Sequence, residues 1–443
     1  MAHYTKQDIL RIVEEEDVEF IRMQFTDMFG VLKNMAITSG QLEKALDNQC
    51  LIDGYSIGGL ASVEESDMYL VPDLDTFAIF PWRPQQGKVA RLICNVVDVS
   101  DRPNASDSRY VLQQVLKEAA DMGYSFDVGP ECEFFLFETD DNGQPTTITH
   151  EHAGYFDLGP LDSGENLRRD IVLMLEQMGF DILSSHHEIS PSQHEIDFKY
   201  DEALTSADNI MTFKLVVKTL AKRHGMYATF MPKPKSGAEG SGMHINMSLN
   251  RDGKNIFYDE NDPYQMSEEA YYFMGGIMKH MMGMTAITNP LVNSYKRLIA
   301  GFEAPVYISW SVSNRSSMIR VPMIKGVNKH IELRSPDPAA NPYLALAVCL
   351  KAGLDGIKNK IAPPEPIEKN LYNMSEKKLR ENAFCRLPAT LKEAIICMEQ
   401  DALVLDTLGQ DLAHKYINAK KQEWDQYHAQ ITTWEVEQYL YKH

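Results

Sequence analysis

From Val18 the stretch "VEFIRMQFTDMFGVLKNMAI" alternates polar and apolar residues on both sides of positions 27–30, which predicts a β-hairpin turning there. "TSGQLEKAL" then reads as a short helix, with Thr38 and Gln41 at the spacing of a capping box. A further strand, "KVARLICNVVDVS", ends in "DRPNASDS", whose Pro, Asn, Ser and Asp residues predict a boundary near residue 103. Beyond it the period changes. "RYVLQQVLKEAADMG" and "ENLRRDIVLMLEQMG" are amphipathic helices closing on Gly123 and Gly179, each followed by a strand. "DNGQ" and "RDGK" are hairpin turns with glycine where φ must be positive. "NPYLALAVCLKAGLDGIKNKI" takes Asn341 as N-cap and Pro342 as its first helical residue, and the last fifty residues are largely helical. The expected organisation is α+β: a small, mainly β domain over residues 1–103 and a large α+β domain over 104–443, with no repeat and no low-complexity segment.

Five strands of the second domain carry the same kind of polar face. In "ECEFFLF" alternation puts Glu131, Glu133, Phe135 and Phe137 on one side. "HINMSL" adds His244, Asn246 and Ser248, and "HIELRS" adds His330, Glu332 and Arg334. "SHHEISPSQHEIDF" places Glu188 and Glu195 seven apart across a loop, a spacing that brings two carboxylates to one ion. "VYISWSVSNRSSMIR" sets small or polar residues opposite Val306, Ile308, Trp310 and Val312 and ends in Arg315 and Arg320. A face that merely met water would not favour Glu, His and Arg over Lys, Thr and Ser. We therefore expect a funnel or open barrel with acids for metal and arginines for an anionic substrate.

Composition narrows this further. At 443 residues, 44% hydrophobic and 24% charged, the chain is that of a folded globular protein. With 43 Lys+Arg against 63 Asp+Glu the net charge is −20, which repels nucleic acid and anionic membrane, so neither is expected as a partner. The six cysteines form no CxxC pair and read as buried free thiols of a reducing compartment; with no apolar leader, a cytoplasmic location is expected. Carboxylate-rich sets with a single histidine suit Mg²⁺ or Mn²⁺ better than Zn²⁺. Two such ions accompany phosphoryl transfer from a nucleotide. "GAEGSG", residues 237–242, lacks the GxxxxGK[ST] and GxGxxG spacings, so it is not a phosphate loop of either kind.

From about residue 16 onward the chain resembles type I glutamine synthetase, in its short, Gram-positive-like form. The motifs "FTDMFGVLKN", "DGYSIGG", "EESDMYLVPD", "GPECEFFLF", "HHEISPSQHEIDF", "KPKSGAEGSGMH", "NPLVNSYKRL", "GFEAP", "NRSSMIRVP" and "IELRSPDPAANPYL" follow in family order. The resemblance implies a β-grasp N-terminal domain, a catalytic domain with a funnel-shaped antiparallel sheet, and a dodecamer of two hexameric rings with active sites between subunits. It implies ATP-dependent ligation of ammonia to the γ-carboxylate of glutamate through γ-glutamyl phosphate. One metal site would be Glu133, Glu188 and Glu195, and the other Glu131, His244 and Glu332. Arg315 would neutralise the transferring phosphoryl group, Arg320 would lie by the nucleotide phosphates, and Tyr200, Asn246 and Ser248 would line the ATP site. Arg297 and Arg334 would hold glutamate with Glu239 and Gly240, Glu303 would take a proton from the tetrahedral intermediate, and Asp53 of the adjacent subunit would bind and deprotonate ammonium.

Departures from the family pattern cluster around substrate. Glu239 replaces an asparagine, Tyr55 stands beside Asp53, and Ala300 and Phe302 alter the flap. His330 replaces an arginine, and Ser62 replaces one linked to feedback. Tyr372 occupies the place of a modified tyrosine in members with an insertion this chain lacks, so no modification is expected. Two alternatives stay open: a γ-glutamyl ligase for a primary amine, and a catalytically weak sensor acting on a transcription regulator.

Overall fold

In the computed structural model, which describes residues 3–443 apart from 59, 61–64, 84–85, 325 and 369–384, the alternation from Val18 becomes β1 (Val18–Thr26) and β2 (Leu32–Thr38). Ser62 and Tyr372 lie outside the described residues. The two strands are antiparallel, with Thr26 opposite Leu32. Asp27 makes the turn by accepting the N–H groups of Phe29 and Val31 at 3.0 and 2.9 Å, and Gly30 closes it at φ +78°. With β3 (Cys50–Asp53), β4 (Asp67–Ile79) and β5 (Lys88–Asp98) they form a sheet of order β2-β1-β5-β4-β3. Helices α1 (Lys6–Glu15) and α2 (Leu42–Leu46) bury Ile9, Val13, Leu42 and Leu46 in one cluster with Ile21, Met23 and Leu92. The capping box expected at Thr38 does not form. Ser39–Gln41 turn as a 3₁₀ segment whose Ser39 carbonyl takes the Leu42 N–H, and Thr38 makes no side-chain cap bond.

The second sheet has twelve strands. Its main path runs β12 (Met226–Thr229), β7 (Phe134–Thr139), β10 (Gln193–Phe198), β6 (Ser125–Cys132), β13 (Met243–Arg251), β17 (Ile331–Leu333), β16 (Ile319–Arg320) and β15 (Trp310–Ser311). Short strands β8 (Pro145–Thr149), β9 (Ile182–His187), β11 (Asp201–Glu202) and β14 (Lys254–Asn255) flank it. One face carries Phe126, Val128, Ile245, Met247, Ile331 and Leu333, all buried in a core shared with helices α3 (Ser108–Asp121), α5 (Ala203–Arg223), α6 (Glu268–Thr288) and α8 (Pro342–Asn359). The other face opens into the cavities described below. Helices α4 (Glu165–Gln177) and α7 (Ser294–Arg297) flank this site.

Two expected strands differ. "ECEFFLF" breaks at Glu133, between β6 and β7, where the neighbour along one edge changes from β13 to β12; the Glu133 N–H still donates at 3.1 Å to the Gly242 carbonyl, one step beyond the Cys132–Met243 pair. Phe135 and Phe137 are buried like their neighbours rather than facing a polar funnel. The run from Val306 is strand only at Trp310–Ser311 and Ile319–Arg320: Ser311 Oγ accepts the N–H of Ser313 and Asn314, and Asn314 Oδ1 accepts that of Ser316. Side chains there replace the ladder with a turn. Among the cysteines, Cys50, Cys94, Cys132 and Cys349 are buried, whereas Cys385 is exposed and Cys397 half-buried.

The two sheets are joined by buried polar contacts. Arg109 on α3 donates to Asp73 on β4 at 2.7 Å and to Asp208 on α5 at 2.8 Å. Asn341 caps α8, as the sequence predicts, and its Nδ2 donates to the Asp27 carbonyl at 3.0 Å, fixing the β1–β2 turn to the start of α8.

Candidate active site

Strands β6, β13 and β17 lie side by side with Glu131 opposite His244 and Asn246 opposite Glu332. The register turns one atom each of Glu131, His244 and Glu332 to a common point, all within 4.8 Å of one another. His244 Nδ1 is 3.2 Å from Glu131 and 3.6 Å from Glu332. A second triple has the same closeness: His186, Glu188 and Glu195, held where β9 and β10 pair across the loop containing Pro191. The structure thus joins Glu188 to Glu195 but groups them with His186, which sequence reasoning did not single out. Glu133 stands between the triples. One oxygen is 3.9 Å from His244 Nε2, and the other accepts the Gly242 N–H at 2.8 Å and Gln193 Nε2 at 2.9 Å.

Burial and then the nearby Glu188 push the Glu133 carboxyl up to about 7, against the pull of His244. Burial, Asp197 and Glu133 likewise raise Glu195. Burial also opposes the charge on Glu131, but the hydrogen bond from His244 prevails and holds it at about 2. Glu332 is kept below its usual range by Arg334, again against burial. Acids crowded this closely repel one another unless cations stand between them. Oxygen-rich donor sets with one imidazole each fit hard divalent ions.

The triples line a cavity of about 830 Å³ together with Arg297, Arg315, Arg320 and Arg334. Arg320 donates to one oxygen of Glu332 at 2.8 Å and Arg334 to the other. Arg297, at the end of α7, donates to the carbonyls of Ser335 and Arg334 at 2.7 and 3.1 Å. Gly240 and Gly242, in front of His244, leave room for this arginine and for the Pro232 carbonyl. A Cβ on Gly242 would lie 2.7 Å from Arg297 Nη2, and one on Gly240 would lie 2.5 Å from the Pro232 carbonyl. Glu239 also lines the cavity; its N–H donates to Ser190 at 2.7 Å, and its buried Oε2 has no hydrogen-bond partner among the described residues. Burial raises its carboxyl, Lys233 lowers it, and Glu303 raises it further. Glu303 sits exposed at φ +44° beside Phe302, whose ring lies 3.8 Å from Lys233 Nζ.

A second cavity, of about 1090 Å³, shares Glu131, Asp197, Arg320 and Glu332 with the first and runs past Tyr200, Asn246, Ser248 and His330. Asp53 lines neither. It ends β3 in the first domain, exposed, and accepts Ser56 Oγ at 2.6 Å and the Tyr55 N–H at 3.0 Å. The Ser56 bond, opposed by slight burial, lowers its carboxyl.

Two acid triples beside a cluster of arginines, opening into a trough with both polar and apolar walls, define a metal-dependent enzyme for anionic substrates. Comparison with known proteins makes this specific. Residues 17–99 match the family model for the glutamine synthetase β-grasp domain, and residues 105–439 the one for the glutamine synthetase catalytic domain. The glutamine synthetase of Clostridium saccharobutylicum is 57% identical over 443 residues, all of both chains. That of Staphylococcus aureus strain Mu50 is 53% identical, covering 99% of this chain and 98% of the relative. Among solved structures, a GmaS/ADP complex is 31% identical with a TM-score of 0.89, covering 98% of this chain and 99% of its own. A cryo-EM structure of Plasmodium falciparum glutamine synthetase is 26% identical with a TM-score of 0.87, covering 99% of each.

The chain belongs to the glutamine synthetase family. It is an ATP-dependent glutamate–ammonia ligase that makes glutamine and, as the family does, uses divalent metal and assembles as a homo-oligomer. Neither the amine-ligase nor the sensor alternative is favoured by these matches. No helix among the described residues is long and apolar enough to cross a membrane.

Proposed function

We propose that the arginine-rimmed cavity is where glutamate is phosphorylated and then amidated. The observation that carries this is the shared wall of two acid triples with Arg297, Arg315, Arg320 and Arg334, which suits a phosphoryl group and a carboxylate held together. A carboxylate does not form an amide until one oxygen becomes a better leaving group. Transfer of the ATP γ-phosphoryl to the γ-carboxylate of glutamate releases ADP and gives γ-glutamyl phosphate. Ammonia then attacks the carbonyl carbon, the nitrogen loses a proton, and phosphate departs with its bonding pair.

Glu131, His244 and Glu332 would hold one divalent ion, and Glu133, Glu188 and Glu195 the other, with His186 beside them; Mg²⁺ or Mn²⁺ fits the oxygen-rich set. Such ions, when bound, neutralise phosphate oxygens. Arg315 steadies the transferring phosphoryl group, and Arg320 faces the nucleotide phosphates. Arg297 and Arg334 orient glutamate, whose ammonium group faces Glu239 above Gly240. Glu303 takes the proton from the tetrahedral intermediate, and Asp53 of a neighbouring subunit binds ammonium and deprotonates it. ATP lies along the trough by Tyr200, Asn246 and Ser248. The assembly is a dodecamer of two hexameric rings in the cytoplasm. The domains divide at 103/104, between the two matched segments.

Phosphate release from Mg-ATP is the test, with glutamate and a panel of ammonium and alkylamines. Wild type is expected to need both glutamate and ammonium, and Arg315→Ala or Glu195→Gln to lower kcat at least a hundredfold. Retention of kcat in both variants would move the chemistry out of this cavity.

A further inference from the structure

Beyond the acid triples the trough carries polar side chains that the transfer chemistry leaves unused. β6 and β13 pair with Glu131 opposite His244, Gly129 opposite Asn246, Asp127 opposite Ser248 and Ser125 opposite Asn250. These residues alternate with Phe126, Val128, Met247 and Leu249, all buried on the far face. The open face is therefore one polar row leading away from the acids. At 3.3 Å per residue, Asp127 lies about 13 Å along the strand from Glu131.

A nucleotide with its phosphates at Glu131 and Arg320 extends its nucleoside along this row, a placement that rests on the ATP site proposed above. The floor is left low at Gly129, where a Cβ would sit 3.3 Å from the Tyr200 side chain. Tyr200, Leu183, Ile324 and Val327 supply apolar walls for a flat ring.

At the outer end Asn250 Nδ2 donates to Asp127 Oδ2 at 2.6 Å. A carboxylate can only accept, so this bond fixes which end of the Asn250 amide is nitrogen. It leaves the carbonyl oxygen and the second N–H to a ligand. Adenine offers an amino donor beside a ring-nitrogen acceptor, which an oriented amide matches at two points. Guanine offers O6 beside N7, both acceptors, or O6 beside an N–H in the reverse order. We propose that Asn250, held in orientation by Asp127, reads the adenine edge of ATP and sets the preference for adenine over guanine nucleotides. Asp127 acts through Asn250 and is a positioning residue.

The test is steady-state phosphate release at saturating glutamate and ammonium, with ATP or GTP varied, alongside thermal melts. Asn250→Ala is expected to lower kcat/KM for ATP about tenfold, through KM, and to shrink the ATP-over-GTP ratio by a similar factor. Asn250→Thr, which suits a strand but lacks the N–H pair, should do the same if the alanine variant folds poorly. Asp127→Ala should follow in the same direction, while Asp127→Asn, which still offers an acceptor, restores most of the ratio. An unchanged ATP-over-GTP ratio in both Asn250 variants overturns the proposal. Tyr200→Ala separates the two levels. If it raises the ATP KM while the ratio holds in Asn250→Ala, only the edge reading fails; if neither variant moves the ATP KM, the placement of ATP in the trough fails with it.

Discussion

Gln193 touches no substrate in the proposed reaction, yet its Nε2 donates to Glu133 at 2.9 Å and to the Gly240 carbonyl at 3.2 Å. It ties a proposed metal ligand to the glycine loop. Partners that orient ligands typically contribute ten- to a hundredfold to metal affinity. Gln193→Ala is accordingly expected to weaken divalent-ion binding by about that factor, measured by calorimetric titration of Mn²⁺, with little loss of melting temperature in metal-free buffer. An unaltered affinity would show that the Gly242 N–H alone fixes the carboxylate. Strand alternation made Glu131, His244 and Glu332 legible, because a register of period two decides which side chains share a face. It could not reveal Gln193 or the surroundings of Glu133, whose carboxylate is held by the Gly242 N–H and the Gln193 amide from other segments of the chain. His186 was legible in principle, since it pairs with Glu195 across β9 and β10.

Helices α6 and α8 meet through a cluster that no part of the catalytic reading uses. His280 on α6 lies 3.0 Å from Asp355 on α8 through Nε2, and 2.9 Å from Asp401, the cap of the helix Ala402–Leu408, through Nδ1. Both contacts are donated only when the ring is an imidazolium. Burial works against that charge, but the two carboxylates outweigh it and raise the histidine, with Lys279 opposing them weakly. A group raised on folding contributes stability that is complete below its unfolded value of about 6.5 and disappears as pH climbs through the folded value. The melting temperature of wild type should therefore exceed that of His280→Asn most at pH 6, with the gap narrowing as pH rises to 9. A gap independent of pH would leave His280 as packing alone. Elements of this size were mostly legible, since the α8 cap, both helix-ending glycines and the first hairpin follow from local chemistry. The run from Val306 to Arg320 was not. Its apolar alternation is real, but the Ser311 and Asn314 side chains satisfy the backbone locally, and no pattern of hydrophobicity records that competition.

At the scale of the whole molecule the chain is incomplete by itself if Asp53 serves the reaction. Its carboxylate stands at the end of the five-stranded sheet and lines neither cavity, whereas Arg315 and Glu303 line the first. A head-to-tail interface repeated around a ring would bring the Asp53 edge of one subunit to the cavity of the next. That arrangement makes a complementation experiment decisive. Asp53→Ala and Arg315→Ala homo-oligomers should each be nearly inactive. When the two are dissociated, mixed in equal amounts and reassembled, random neighbours leave about one site in four with both residues native. Recovery of about a quarter of wild-type glutamine formation is expected, together with no recovery when the intact oligomers are mixed without dissociation. If Asp53 and Arg315 acted within one chain, no mixed oligomer could contain an intact site and activity would stay at the level of the separate variants. The sequence pattern of a single chain cannot distinguish these cases, because what brings Asp53 to the cavity is rotation between copies and not any period along the chain.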